Sequence, residues 1–325
     1  MERRAFITIV GGSILAASFA VEAQQTGNVW RIGVLSASPA DAPRWKPFHD
    51  SLRGLGYVEG QNMAFEWRSS GGKAERFPDL AADLARLQVD VIVALDNPAI
   101  AASQKATKTI PIVMVLAQDP IASGFARSLA QPGGNITGLS VQGTELQGKI
   151  MQILREAIPA ASRVGILWVP TEPGRELLAK EAETAARALG LEPRLVEARD
   201  PAELERGLAT MAREKLDAVQ IQPSQLTFAH RARIAELAMK YRLPSIAQAA
   251  WWGEAGGLLV YSVKDSDQYD RAAHYVVKIL KGAKAADLPI QQPTRFELNI
   301  NLKTAKALKL TIPKTVILQA DKIIE

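Results

Sequence analysis

Asp90-Val91-Ile92-Val93-Ala94-Leu95-Asp96-Asn97-Pro98 decides how this chain is read. From Asp90 to Leu95 runs a short, continuous apolar strand, rich in β-branched residues and suited to burial on both faces of a parallel sheet. Two polar residues stand at its carboxyl end, and a small-residue window from Ala99 to Ala106 reads as the following helix. Strand, polar end and helix in that order make up one βα unit.

The same unit recurs on either side. Upstream, Trp30 to Leu35 reads as the first strand, and Trp45, Phe48, Leu52 and Leu55 share one helical stripe. Asn62 to Trp67 is the second strand, and Phe77, Leu80, Leu84 and Leu87 mark the second helix. Downstream, Ile110 to Leu116 and Asn135 to Leu139 give the fourth and fifth strands. The pattern then begins again. Strands are expected at Arg163 to Trp168, Arg194 to Glu197, Asp217 to Ile221, Pro244 to Ile246 and Gly257 to Ser262, with amphipathic windows between them. A strong helix follows, carrying Tyr269, Ala272, Ala273, Val276 and Leu280 on one face. Arg295 to Ile300 alternates strictly and reads as a half-exposed edge strand. The fold class is therefore α/β: two doubly wound parallel-sheet, Rossmann-like lobes.

Composition agrees. A chain of 325 residues exceeds one ordinary core, and 47% hydrophobic with 22% charged residues is globular usage. The net charge of +5 is spread as mixed acids and bases, so no nucleic-acid partner is expected. Cysteine is absent, which excludes disulfides, thiolate metal sites, a thiol nucleophile and a lipid anchor on cysteine. At the amino end Arg3-Arg4 precedes an apolar run from Ala5 to Val21, and Val21-Glu22-Ala23 supplies small residues before a cleavage point. Residues 1–23 thus read as a secretory signal, with paired arginines that also suit the twin-arginine route. The Thr8-Ile9-Val10-Gly11-Gly12 stretch lacks the glycine pattern and the downstream acid of a nucleotide fold.

In open α/β sheets ligands bind beyond the carboxyl ends of the strands, beside helix N-termini. That rule selects Ser36, Ser38, Asp96, Asn97, Gln118, Asp119 and Ser140 in the first lobe. In the second it selects Val169 to Glu172, Gln222 to Ser224 and Gln248. Each has a plainer explanation: Asp96, Asn97 and Asp119 as helix caps, Ser36 and Ser38 as turn residues. Trp251-Trp252 suits either stacking on a ligand or packing between the lobes. His49, His230 and His274 fall in helical windows, and neither a metal pair, a G-x-S-x-G elbow nor a phosphate loop occurs. No enzyme, cofactor or metal is expected.

Several segments resemble the ABC-transporter substrate-binding family of the tryptophan-binding type. They are Asp119-Pro120, QPGGNITGLS (131–140), GGLLVY (256–261), ILKGAKAADL (279–288) and QPTRFELNINLKTAKALKL (292–310). The resemblance implies a type I periplasmic-binding-protein fold: two lobes, three chain crossings near Ser140, Ser262 and Thr294, and a ligand in the cleft. It places 24–140 with 263–294 in the first lobe and 141–262 with 295–325 in the second. Tyr261 and Asp265, flanking the second crossing, complete the expected ligand contacts. Where the family often has Gly-Thr-Pro, this chain has Asp96-Asn97-Pro98, a departure that speaks against tryptophan itself and leaves two readings of Asp96, a contact for a ligand's amino group or a helix cap alone; Val169-Pro170 replaces Asn-Pro and loses a polar contact. The implied protein is a periplasmic monomer that closes on a small metabolite such as an amino acid and presents it to an ABC permease and its ATPase. A periplasmic sensing module for a membrane signalling partner is the second reading.

Overall fold

The computed structural model describes residues 29–325; the expected signal at 1–23 lies outside the described residues. The first sheet is built from β1 (Trp30–Ser36), β2 (Met63–Ser69), β3 (Val91–Ala94), β4 (Ile112–Ala117) and β5 (Ile136–Ser140), in the order β2-β1-β3-β4-β5. All its pairs are parallel. Three helices connect its strands: α1 (Lys46–Gly54), α2 (Phe77–Arg86) and α3 (Asn97–Ala106). One face carries Trp45, Phe48, Leu52 and Val93, and the other carries Leu84, Ile92, Ile100 and Met114. The apolar run that decided the reading is therefore covered on both sides.

The fourth and fifth strands approach unusually closely. At Gly138 φ is 127°, and a Cβ there would lie 2.3 Å from the Met114 carbonyl oxygen. Only glycine fits, and the β4–β5 register shifts between Met114 and Ala117.

The second lobe opens with α4 (Gln147–Ala157), then β6 (Arg163–Trp168), α5 (Arg175–Ala188), β7 (Glu192–Glu197), α6 (Pro201–Arg213) and β8 (Ala218–Ile221). It continues through α7 (Gln225–Ala229), α8 (Arg231–Lys240), β9 (Ser245–Ala247), α9 (Ala250–Glu254) and β10 (Leu259–Val263). The chain next forms α10 (Asp265–Leu280), which packs its Tyr269, Ala272, Ala273 and Val276 face into the first lobe. It returns as β11 (Phe296–Asn301), α11 (Leu302–Ala307), α12 (Lys314–Ile317) and β12 (Lys322–Ile324). The second sheet has the order β12-β11-β10-β9-β8-β6-β7. Three crossings link the lobes: after β5, at Lys264, and after Gln291, which still pairs with Leu139 of the first sheet.

The structure corrects one element. Arg295 to Ile300 is not an edge, because β11 lies between β10 (antiparallel) and β12 (parallel). Its alternation reports burial of Leu298 and Ile300 against the core, while the pairing of its edges leaves no mark on a period of two. On that side the edge is β12, too short to carry a pattern. The window between β8 and Pro244 holds two helices, broken at His230 between α7 and α8. Among the described residues, no helix is long and apolar enough to cross a membrane.

Candidate functional site

The carboxyl ends of the two sheets face each other across a cavity of about 750 Å³ of atom-free space, partly open to solvent. That is room for a small metabolite and not for a polymer.

From the first lobe comes the helix α3 and its cap. Asp96 accepts from the Ala99 N–H at 3.3 Å, as an N-cap carboxylate does. Its second oxygen accepts from Gln225 Nε2 of the other lobe. Asp96 keeps some accessible surface because it lines the cavity, yet it lies deep in protein, and desolvation pushes its carboxyl up to about 6. Asn97 is buried and fully engaged. Its Oδ1 accepts from the Gln118 N–H at 2.8 Å, and its Nδ2 donates to Gln118 O at 2.9 Å, Ser123 Oγ at 3.0 Å and Pro173 O at 3.3 Å. Arg44, in the 3-10 turn before α1, donates to Asp265 Oδ2 at 3.2 Å and lies over the Phe228 ring, 5.8 Å from its centroid. Burial raises the Asp265 carboxyl above its ordinary range.

From the second lobe comes a buried ion pair. Arg175 holds Glu172 Oε2 through Nε (3.1 Å) and NH2 (3.0 Å), and reaches across to Gln118 Oε1 at 2.5 Å. Glu172 Oε1 accepts from the Gln225 N–H at 2.7 Å. The lobes meet closely beside this pair: φ at Gly174 is 78°, and a Cβ there would lie 2.9 Å from Ser123 Oγ of the first lobe. Gln248, Phe228 and Trp251 complete the wall with Leu95 and Val141. Trp251 thus faces the cavity, whereas Trp252 is wholly buried and donates to Ser245 Oγ at 3.2 Å. Trp252 therefore packs inside the second lobe rather than between the lobes.

Of the residues expected from sequence, Asp96, Asn97, Gln118, Pro223, Ser224, Gln248 and Asp265 line the cavity. Ser38 lines an adjoining groove with Arg44, and Val169 lines an outer groove with Glu172. Ser36 ties the turn after β1, donating to Ser38 O at 2.8 Å. Ser140 accepts from the Gln142 N–H in the first crossing. Asp119 has φ 43° and accepts from Thr144 Oγ1 at 2.8 Å, bracing the same crossing; burial raises its carboxyl. Gln222 donates to Leu178 O at 3.2 Å and holds α5. Tyr261 stacks on Phe296, with ring centroids 5.9 Å apart, away from the cavity. Successive strand side chains point to opposite faces, so its neighbour Ser262 lines the cavity instead, and Val263 joins it only because β10 ends there.

Arg44, Arg175, Gln225 and Phe228 were not reached from sequence. They sit in the first turns of helices or one turn further on, beyond the strand ends that were searched. One signal existed for Arg175: a basic residue opening a helix opposes the helix dipole, so it needs another partner to justify it.

The chain matches the family described as ABC transporter substrate binding protein over residues 32–324. It is 23% identical over 269 residues to a tyrosine-binding protein of Clostridioides difficile, covering 82% of this chain and 76% of that protein. A Streptococcus pneumonia domain solved with L-Trp superposes with a TM-score of 0.84 at 24% identity, covering 91% of this chain and 100% of that one. A ligand-free, open substrate-binding protein from Clostridium difficile gives 0.65 at 22% identity, over 91% and 99% of the two chains. With two lobes built on largely parallel sheets, three crossings and a match across nearly the whole described chain, this protein belongs to the ABC transporter substrate-binding protein family.

Proposed function

We propose that the protein is the extracytoplasmic receptor of an ABC importer and that it closes on a small zwitterion, an amino acid or a close relative. The observation that carries this reading is the polarity of the cavity. One part offers acceptors without a cationic partner in contact: the Asp96 carboxylate and, beside it, Gln225 Oε1, which is buried and unpartnered. Another offers donors, the Arg44 guanidinium and Gln248 Nε2, the latter also buried and unpartnered. An ammonium group suits the first and a carboxylate the second. Phe228, Trp251, Leu95 and Val141 leave an apolar and aromatic wall for a side chain.

Closure follows from the same contacts. Asp96 with Gln225, Gln118 with Arg175, and Asn97 with Pro173 all join one lobe to the other. A solute touching both walls favours the closed form by its differential affinity, and the closed surface then docks on a permease. Extracytoplasmic placement is supported by the family and by the secretory signal expected from sequence at residues 1–23.

A thermal-shift screen against L-amino acids, the matching amines and purines, followed by calorimetry, tests the reading. An α-amino acid should raise the melting temperature by mass action, and its amine without the carboxylate should do so far less. A purine shifting it while no amino acid does would overturn the zwitterion.

A further inference from the structure

Three buried glutamines run from the core of the second lobe to the cavity. Gln147 opens α4, Gln220 lies on β8 and Gln248 follows β9; none exceeds 7% exposure. Gln220 Nε2 donates to Gln147 Oε1 at 2.7 Å. Gln147 Nε2 donates twice, to the Gly143 carbonyl at 2.8 Å and to Gln248 Oε1 at 3.0 Å. What remains without a partner is one atom at each end, Gln220 Oε1 in the core and Gln248 Nε2 at the cavity.

The direction of this chain is not free. A backbone carbonyl can only accept, so Gly143 requires the NH2 side of Gln147. That choice turns Gln147 Oε1 toward Gln220 and the second Gln147 N–H toward Gln248. Gln248 must then offer its oxygen inward and keep its NH2 for the cavity. Reversing any one amide would set oxygen against oxygen or hydrogen against hydrogen. An unpaired buried amide atom is costly, and a hydrocarbon of the same shape would avoid the cost. Three such groups in line are explained if the free end has a partner when solute is bound.

We propose that Gln147 and Gln220 are positioning residues which, anchored by the Gly143 carbonyl, fix Gln248 so that it presents an N–H and selects solutes with a hydrogen-bond acceptor at that point. The inference rests on the interlobe cavity being the solute site. Gly143 belongs to the first crossing, where its neighbour Thr144 holds Asp119. Ligand polarity is thereby read against a segment of the hinge rather than against a freely rotating side chain.

Neutron diffraction from perdeuterated protein tests the direction without any ligand, since nitrogen, oxygen and deuterium are distinguishable. Deuterium on the cavity-facing atom of Gln248 is expected; deuterium on the atom facing Gln147 would overturn the proposal. Calorimetry with L-tyrosine and tyramine reads the consequence. The unaltered protein should prefer tyrosine by about tenfold or more, the worth of one hydrogen bond to a charged group. Gln147→Glu accepts from Gln248 and reverses it, and the neutral Gln147→Met frees it, so both should narrow the gap chiefly by weakening tyrosine. Equal weakening of both probes would mean a merely structural role and overturn the proposal. If neither probe binds the unaltered protein, the amino-acid reading fails while the neutron result still decides the direction.

Discussion

The two walls of the cavity are made differently. The first lobe contributes charge on short tethers: Asp96 at a helix cap, Arg44 in a turn, and Asp265 where α10 rejoins that lobe. The second contributes neutral amides and rings, Gln225, Gln248, Phe228 and Trp251; Arg175 is neutralised by Glu172 just as Arg44 is by Asp265, so Asp96 is the lining charge that has no ion-pair partner among the described residues. The sheets differ in the same sense. The first is five parallel strands with nothing added, and the second is extended by β11 and β12 to seven. The contrast suggests a division of labour, in which one wall fixes the charge of the solute while the other tests its shape and hydrogen-bonding pattern.

The largest expected effect breaks the neutrality of the second wall. Arg175 and Glu172 side chains are only 5% and 6% exposed, so Arg175→Met leaves a carboxylate buried without its cation. Removing one partner of such a pair costs about 3 kcal/mol or more. Chemical denaturation should show the loss, with solute affinity falling alongside as the contact to Gln118 disappears. A variant as stable as the parent would mean that Glu172 is taken up by Gln225 alone.

Charge on the first wall comes next. Asp96→Asn keeps a good helix cap but removes the carboxylate, so affinity for an ammonium-bearing solute should drop about tenfold to hundredfold with the melting temperature little changed. Equal affinity would remove Asp96 from the site. The pH dependence runs in opposite directions for the two properties. Because burial raises Asp96 from 3.8 to about 6, the folded form binds the proton more tightly than the unfolded one. Its contribution to unliganded stability therefore improves as pH falls from about 6 toward 3.8, so above about 6 any change in the melting temperature of Asp96→Asn should be upward, whereas solute affinity declines below about 6 as the carboxylate is neutralised. Asp96→Asn should flatten both curves relative to the parent.

Smaller effects sharpen the boundary of the site. Asp119 braces the first crossing rather than lining the cavity, and Asp119→Ala places a β-carbon residue without a polar side chain at φ 43°. A loss of about 1–2 kcal/mol in stability is expected, with binding weakened less than by Asp96→Asn, as calorimetry would show. The exposed Glu176–Lys180 pair provides the control, and Glu176→Gln should change neither melting temperature nor affinity detectably.

The first wall was also the more legible in sequence. Asp96, Asn97 and Gln118 follow strands whose apolar runs announce themselves, so the strand-end rule finds them directly. The second wall is presented by α7 and α9, helices of five residues each, too short to show a period. Gln225 and Phe228 consequently left no pattern. Tyr261 was misplaced for a different reason: the end of a strand can be located within a residue or two, but a shift of one residue exchanges its faces. Buried amide chains such as Gln147–Gln220–Gln248 link positions far apart in the chain, and only the fold brings them together.

Hinged closure is the claim on which the rest depends, and the absence of cysteine allows it to be measured cleanly. Spin labels at Arg53→Cys on α1 and Arg213→Cys on α6, both exposed positions, report the distance between the lobes by pulsed electron resonance. With the solute selected by the thermal screen, the distribution should narrow and move to a shorter distance than in the unliganded protein. A distribution unchanged under saturation, with binding confirmed by calorimetry, would contradict the account.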